Sequence, residues 1–138
     1  MKEIKRSLKV VTLIIYASLM ALGSATVYAA DRLDADQTLK RGESLKSSNG
    51  KYTLGLQDDG NLVLYAGSKP LWSSKTDGKA VEKCVMQGDG NLVLYLYSGQ
   101  AAWASNTNGK PNSYLQLQND GNAVIYHNQP VWATNTNR

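Results

Sequence analysis

A set of five side chains, each two residues from the next, occurs three times in this chain. The members are Gln57, Asp59, Asn61, Val63 and Tyr65 in QDDGNLVLY, then Gln87, Asp89, Asn91, Val93 and Tyr95 in QGDGNLVLY, and Gln118, Asp120, Asn122, Val124 and Tyr126 in QNDGNAVIY. An ionised aspartate only accepts hydrogen bonds, whereas glutamine and asparagine amides donate and accept and a phenol does either. Such a set can hold adjacent hydroxyls of a sugar ring in a fixed donor and acceptor order, with valine under the ring carbons and the phenol at the edge. A hydroxyl of the wrong configuration would leave one group unpaired at a cost of about 1–3 kcal/mol, so selectivity needs no deep burial.

Something must gather these side chains, because nine residues in a straight strand spread over about 26 Å. Asp-Gly between two alternating runs is a strong hairpin signal. A three-residue loop at Asp58-Asp59-Gly60 pairs Leu56 with Leu62 and Leu54 with Leu64 on one face. Gln57 then meets Asn61, Gly55 meets Val63 and Thr53 meets Tyr65 on the other, with Asp59 at the turn above them. The same rule pairs Met86 with Leu92 and Cys84 with Leu94, then Leu117 with Ala123 and Leu115 with Ile125. One loop assumption thus yields an apolar and a polar face three times over.

The segments start 30 and 31 residues apart, and each is followed by a tryptophan, Trp72, Trp103 or Trp132, and a short polar run, SSKT, ASNT or ATNT. A period near 30 residues, Asp-Gly turns and no long helical pattern predict an all-β domain in which three hairpins share one core closed by the tryptophans. The segment from Leu39 to Lys51 is expected to add a strand completing one of three sheets.

The pattern Gln-x-Asp-x-Asn-x-Val-x-Tyr, present intact three times, resembles the signature of the bulb-type, monocot mannose-binding lectins, the B-lectin or β-prism II family, from about Leu39 to the end of the chain. The resemblance implies a prism of three four-stranded antiparallel sheets around a pseudo-threefold axis, with one shallow, metal-independent mannose site on each sheet. Asp59 and Asn61 would take the axial 2-hydroxyl, Gln57 the 3-hydroxyl and Tyr65 the 4-hydroxyl, with Val63 against the ring. The same roles would fall to Gln87, Asp89, Asn91, Val93 and Tyr95, and to Gln118, Asp120, Asn122, Val124 and Tyr126. The expected partners are mannose-containing glycans or surface polysaccharide, bound at three equivalent sites. Plant members join two cysteines in this region; here Cys84 holds one such place and Gly60 the other, so that bond is absent and the pattern looks bacterial. The family also implies a homodimer formed by exchange of the C-terminal strand, here Val131 to Arg138.

Composition narrows the remaining classes. Of 15 basic residues, Lys2, Lys5, Arg6 and Lys9 precede an uncharged stretch from Val10 to Ala30, the pattern of an export leader. The expected division is a signal peptide at residues 1–29 and a lectin domain at 30–138, with cleavage after Ala29 or, as an alternative, after Ala30, and secretion to the exterior or a periplasm. An uncleaved membrane anchor is the other reading of that stretch; once the leader is removed, no membrane insertion is expected. From Asp31 onward 11 basic residues face 10 acidic ones, a net +1 that removes the main argument for nucleic acid. Cys84 is the only cysteine and reads as a small buried hydrophobe.

No cofactor or metal is expected: Asp58-Asp59-Gly60-Asn61 lacks the spaced ligands and distal glutamate of a calcium loop, and the other copies replace Asp58 by Gly88 and Asn119. A glycosidase, the rival class, needs two carboxyl groups about 5–10 Å apart, and each repeat carries a single shared aspartate. No catalytic residue is therefore assigned, and His127 reads as a surface or edge residue. A lectin-like bacteriocin using the same sugar sites against bacterial polysaccharide is the alternative function. On this reading Asn91→Ala or Asp89→Asn removes one site and leaves the fold intact.

Overall fold

Leu33, Leu39 and Leu45 recur six residues apart, and each is fully buried on a short strand that joins a different sheet. The computed structural model describes residues 30–138, so the leader assigned to residues 1–29 lies outside the described residues. The strands are β1 (Arg32–Leu33), β2 (Thr38–Lys40), β3 (Ser44–Lys46), β4 (Tyr52–Leu56), β5 (Leu62–Ala66), β6 (Lys69–Ser73), β7 (Val81–Met86), β8 (Leu92–Leu96), β9 (Ala101–Ala104), β10 (Tyr114–Leu117), β11 (Ala123–Tyr126) and β12 (Pro130–Ala133). They form three antiparallel four-stranded sheets: a first in the order β3-β4-β5-β6, a second β2-β7-β8-β9 and a third β1-β10-β11-β12.

The all-β expectation holds, with one correction. The segment ahead of the first repeat supplies three strands rather than one, beginning at Arg32 and serving all three sheets in reverse order. Two or three residues suffice to cover the open edge of a hairpin. A leucine at every sixth position leaves room between strands for tight turns, closed by Gln37 N–H to Asp34 O at 3.0 Å and Glu43 N–H to Lys40 O at 3.0 Å.

All the inner pairs expected from the loop assumption are present: Leu56 with Leu62, Leu54 with Leu64, Met86 with Leu92, Cys84 with Leu94, Leu117 with Ala123 and Leu115 with Ile125. Each extends into an apolar row across its sheet, Leu45-Leu54-Leu64-Trp72, then Leu39-Cys84-Leu94-Trp103, then Leu33-Leu115-Ile125-Trp132. Burying each leucine side chain contributes about 1.5–3 kcal/mol, so these rows supply much of the driving force for folding. The three tryptophans meet edge to face, with ring centroids 5.6–5.7 Å apart and planes inclined by 73–79°, and hold the sheets around a common axis.

The position before each tryptophan is a bulge. Leu64 pairs with Trp72 but Tyr65 pairs with Pro70, leaving Leu71 as the extra residue, and the same shift recurs at Leu94/Tyr95 and Ile125/Tyr126. Pro70 and Pro130 lie on β6 and β12, edge strands where a missing N–H breaks no ladder.

Candidate functional site

The register that turns leucines inward turns Gln57, Asn61, Val63 and Tyr65 outward, and the fifteen expected side chains occupy matching places on the three outer faces. Their turns are built alike. Gln57 N–H bonds Asn61 O at 2.9 Å and Gly60 N–H bonds Gln57 O at 3.0 Å, with the same distances in the other two copies. Asp59 Oδ1 accepts the Asn61 N–H at 2.9 Å, as Asp89 does from Asn91 and Asp120 from Asn122, which aims each carboxylate over its own hairpin.

Glycine is required at the turn for two reasons. Gly60 and Gly90 have φ of 91° and 96°, and a Cβ added there would lie 2.3 Å from Lys79 O or 2.2 Å from Lys110 O. The turn is packed against the chain that follows the tryptophan, and the polar run there is a staple. Ser74 Oγ receives the Leu62 N–H at 3.0 Å and donates to Asn61 Oδ1 at 3.2 Å, and Thr76 Oγ1 donates to Gly60 O at 2.7 Å. Ser105 with Thr107, and Thr134 with Thr136, repeat this arrangement against Asn91 and Asn122. Sequence reasoning missed these six hydroxyl residues; their signal was the recurrence of Ser/Thr-x-Thr at a nearly fixed distance beyond each Asp-Gly-Asn.

This network alters the expected role of the asparagines. Asn61 Oδ1 also accepts the Thr76 N–H at 3.1 Å, and Asn91 Oδ1 accepts N–H groups from Asn106 at 2.9 Å and Thr107 at 3.2 Å. The amide oxygen is therefore committed to the fold. Each asparagine presents its Nδ2 as a donor, rather than acting as donor and acceptor at once.

The glutamines link the remaining polar groups. Gln57 Nε2 donates to the Tyr65 phenol at 2.6 Å in the first sheet. In the second and third the direction is reversed: the Tyr95 and Tyr126 hydroxyls donate to Gln87 and Gln118 Oε1. The Nε2 groups there turn to Asp89, at 3.2 Å to each carboxylate oxygen, and to Asp120 at 3.1 and 3.2 Å. The three sites, expected to be equivalent, thus differ in their resting hydrogen bonds. Val63, Val93 and Val124 are 4%, 3% and 3% exposed, outside the main core cluster, so each valine forms a floor rather than a protruding surface.

On the first sheet Gln57, Asp59 and Tyr65 share a cleft of about 530 Å³ with Asp58, Glu43 and Ser44, a volume in the range of small-molecule sites. Glu43 and Ser44 were not expected there; the β2–β3 turn brings them in. Among the described residues, no group of three or more His, Cys, Asp or Glu side chains is placed to hold a metal ion, and no helix is long and apolar enough to cross a membrane. Cys84 is fully buried, and desolvation pushes its thiol up to about 12. It lies between Leu39 and Leu94 and faces the core, whereas the space beside Gly60 is filled by the Lys79 and Thr76 backbone. The two positions likened to a disulfide pair thus face different surroundings.

No family model matches the chain. Among solved structures, a monomeric monocot mannose-binding lectin from Gastrodia elata is 47% identical over 79% of this chain and 100% of that one, with a TM-score of 0.74. The mannose-specific agglutinin of snowdrop, Galanthus nivalis, solved with methyl-α-D-mannoside, is 42% identical over 78% of this chain and 98% of that one, with a TM-score of 0.65. The B-type lectin plumieribetin of Scorpaena plumieri is 46% identical over 69 residues, 50% of this chain and 60% of that protein, so this match spans less than two thirds of the relative's length. The three four-stranded sheets are the β-prism II architecture of the two solved lectins. With the triplicated outer-face set, the shared fold and identities above 40% across the whole of the solved lectins, the chain belongs to the bulb-type, monocot mannose-binding lectin family.

Proposed function

We propose that this protein is a lectin that binds mannose or terminal mannosides through the Gln-Asp-Asn-Val-Tyr set on each of its three outer faces, with no metal ion. The observation that carries this reading is the recurrence of one set in one register on every sheet, joined by hydrogen bonds among Gln, Asp and Tyr that sugar hydroxyls can replace. Asp59 accepts from the axial 2-hydroxyl while Asn61 Nδ2 donates to it. Gln57 and Tyr65 serve the 3- and 4-hydroxyls, and Val63 floors the ring. The other two sheets act in the same way.

Because internal bonds are exchanged for bonds to sugar, the net gain at one site is small. A dissociation constant near 1 mM, about 4 kcal/mol, is expected. Several sites engaging one branched glycan or cell surface would raise the avidity. A glycan array run on the protein with and without chelator tests the reading. Binding to terminal mannose that survives chelation supports it; absence of mannose binding, or release of reducing sugar from mannose oligomers, overturns it. Export through removal of residues 1–29 belongs to the same proposal, and the mass of the secreted product checks it.

A further inference from the structure

The five side chains are the same on every sheet, but their neighbours are not. On the first sheet, Ser44, Gly55 and Val63 stand opposite one another across β3, β4 and β5, and Thr53 stands beside Tyr65 in the next row. We propose that the site on this sheet alone continues into a second subsite over Gly55, walled by Ser44 and Thr53, which takes the neutral hexose linked to a terminal mannose. The inference rests on the carbohydrate-binding reading and adds that the three sites differ in the length of glycan they read.

Distance and shape support it. Two strand spacings of about 4.8 Å carry the row from the valine floor to Ser44, about the reach of a second pyranose ring. The cleft on this sheet takes in Ser44, Thr53 and Gly55 as well as Gln57, Asp59 and Tyr65, so three members of the mannose-binding set open onto the second subsite. Gly55 offers bare backbone for a C–H face to lie on, and the hydroxyls of Ser44 and Thr53 can donate and accept. Glu43, Asp58 and Asp59 line the same cleft and no basic side chain does, which selects a neutral sugar over an acidic one.

The walls are fixed before any ligand arrives. Gly42 N–H bonds Leu56 O at 2.8 Å and Leu56 N–H bonds Glu43 O at 3.1 Å, which latch the β2–β3 turn to the end of β4. The Arg41 guanidinium reaches the Asp58 carbonyl and, through Nε, Val81 O at 2.5 Å, pinning the loop beside the cleft.

The other two sheets serve as internal controls. In the second, the register puts Val85 in the place of Gly55, Lys83 in that of Thr53 and Thr38 in that of Ser44. In the third, Gln116 takes the glycine position and folds its Nε2 onto Asp31 O at 3.1 Å and Leu117 O at 3.3 Å. Tyr114 replaces Thr53 there, stacked on Tyr126 at 5.6 Å with the Arg32 guanidinium 3.8 Å from its ring centre. On both of these sheets a side chain, Val85 or Gln116, stands where the first has the bare backbone of Gly55.

An NMR titration separates the sites, because the backbone amides of Asn61, Asn91 and Asn122 each report on one turn. Methyl α-mannoside should shift all three. An α-linked mannobiose, tried in its 1→2, 1→3 and 1→6 forms, should lower the midpoint at Asn61 by about fivefold, the worth of one added net hydrogen bond, and leave Asn91 and Asn122 near their mannoside values. Gly55→Val should return the Asn61 midpoint for mannobiose to that for mannoside. A Cβ at position 55 comes within 3.3 Å of Ser44 Cβ, so Thr53→Lys, which copies the second sheet without entering that contact, provides the second variant and should do the same. A gain shared by all three amides, no gain at Asn61 with any linkage, or a gain that survives Thr53→Lys overturns the subsite. If mannoside moves none of the amides, it is the carbohydrate reading itself that fails.

Discussion

Asn91 Oδ1 accepts the Ser105 hydroxyl at 3.2 Å, a bond that ties the second hairpin to the segment beyond Trp103. Two backbone N–H groups converge on the same oxygen. Asn91→Ala would leave those two N–H donors without their acceptor, while the Ser105 hydroxyl keeps Thr107 Oγ1 at 2.8 Å, so it should cost about 1–2 kcal/mol of stability as well as the site. The expectation that this substitution spares the fold is thereby replaced. Asn91→Asp keeps an acceptor and deletes the Nδ2 donor. Urea unfolding should find it much nearer to wild type, while mannoside titration should lose the Asn91 response and keep those at Asn61 and Asn122.

Lys75 sits at φ 57°, where the matching residues of the other copies are Asn106 at 61° and Asn135 at 58°. Asparagine adopts this left-handed conformation at a lower cost than lysine does. Lys75→Asn should stabilise the protein by about 0.5–1 kcal/mol, seen as a rise of a few degrees in Tm. An unchanged or lower Tm would show that the lysine side chain contributes something its exposed position does not suggest.

Gly90→Ala tests the packing of the turns. The added methyl would meet Lys110 O at 2.2 Å in a backbone conformation already unfavourable to alanine. The expected loss is at least about 2 kcal/mol. Gly99→Ala is the control, because it shares the positive φ, at 92°, but has open space around it. If both variants lose the same stability, the close approach to Lys110 contributes nothing.

Cys84 supplies a pH dependence. Burial raises its thiol from 9.0 to about 12, so between these values the unfolded chain has released the proton that the folded chain retains. The unfolded state then binds fewer protons, and stability falls as pH rises, by about 1.4 kcal/mol per unit from this group. Cys84→Ala should show a shallower decline across that range, and parallel curves for the two proteins would show that the thiol ionises in place. Alkylating reagents at neutral pH should leave the folded protein unmodified and react once it unfolds.

The hairpin registers and the two faces were legible because one loop length, fixed by Asp-Gly, sets every pair from Thr53 with Tyr65 to Leu115 with Ile125. The three leading strands were less so. β1 to β3 are two or three residues each, too short for alternation to register, and only the six-residue recurrence of leucine marked them. The hydroxyls of Ser74 and Thr76 escaped notice because their partners, Asn61 and Gly60, lie 13 and 16 residues away, and nothing local to the run points there. The different surroundings of Gly55, Val85 and Gln116 emerge only when the sheets are laid over one another, since these residues lie outside the shared pattern.

The leading segment counts the repeats. Leu33, Leu39 and Leu45 offer three docking strands, and each hairpin accepts one of them. A duplication would strand an extra hairpin with an open edge, and a deletion would leave a leucine with nowhere to go. In an open solenoid a unit can be gained or lost at little cost; here each docking strand among the described residues is matched to one hairpin, and sequence drift is channelled into what surrounds each pocket instead of into how many there are.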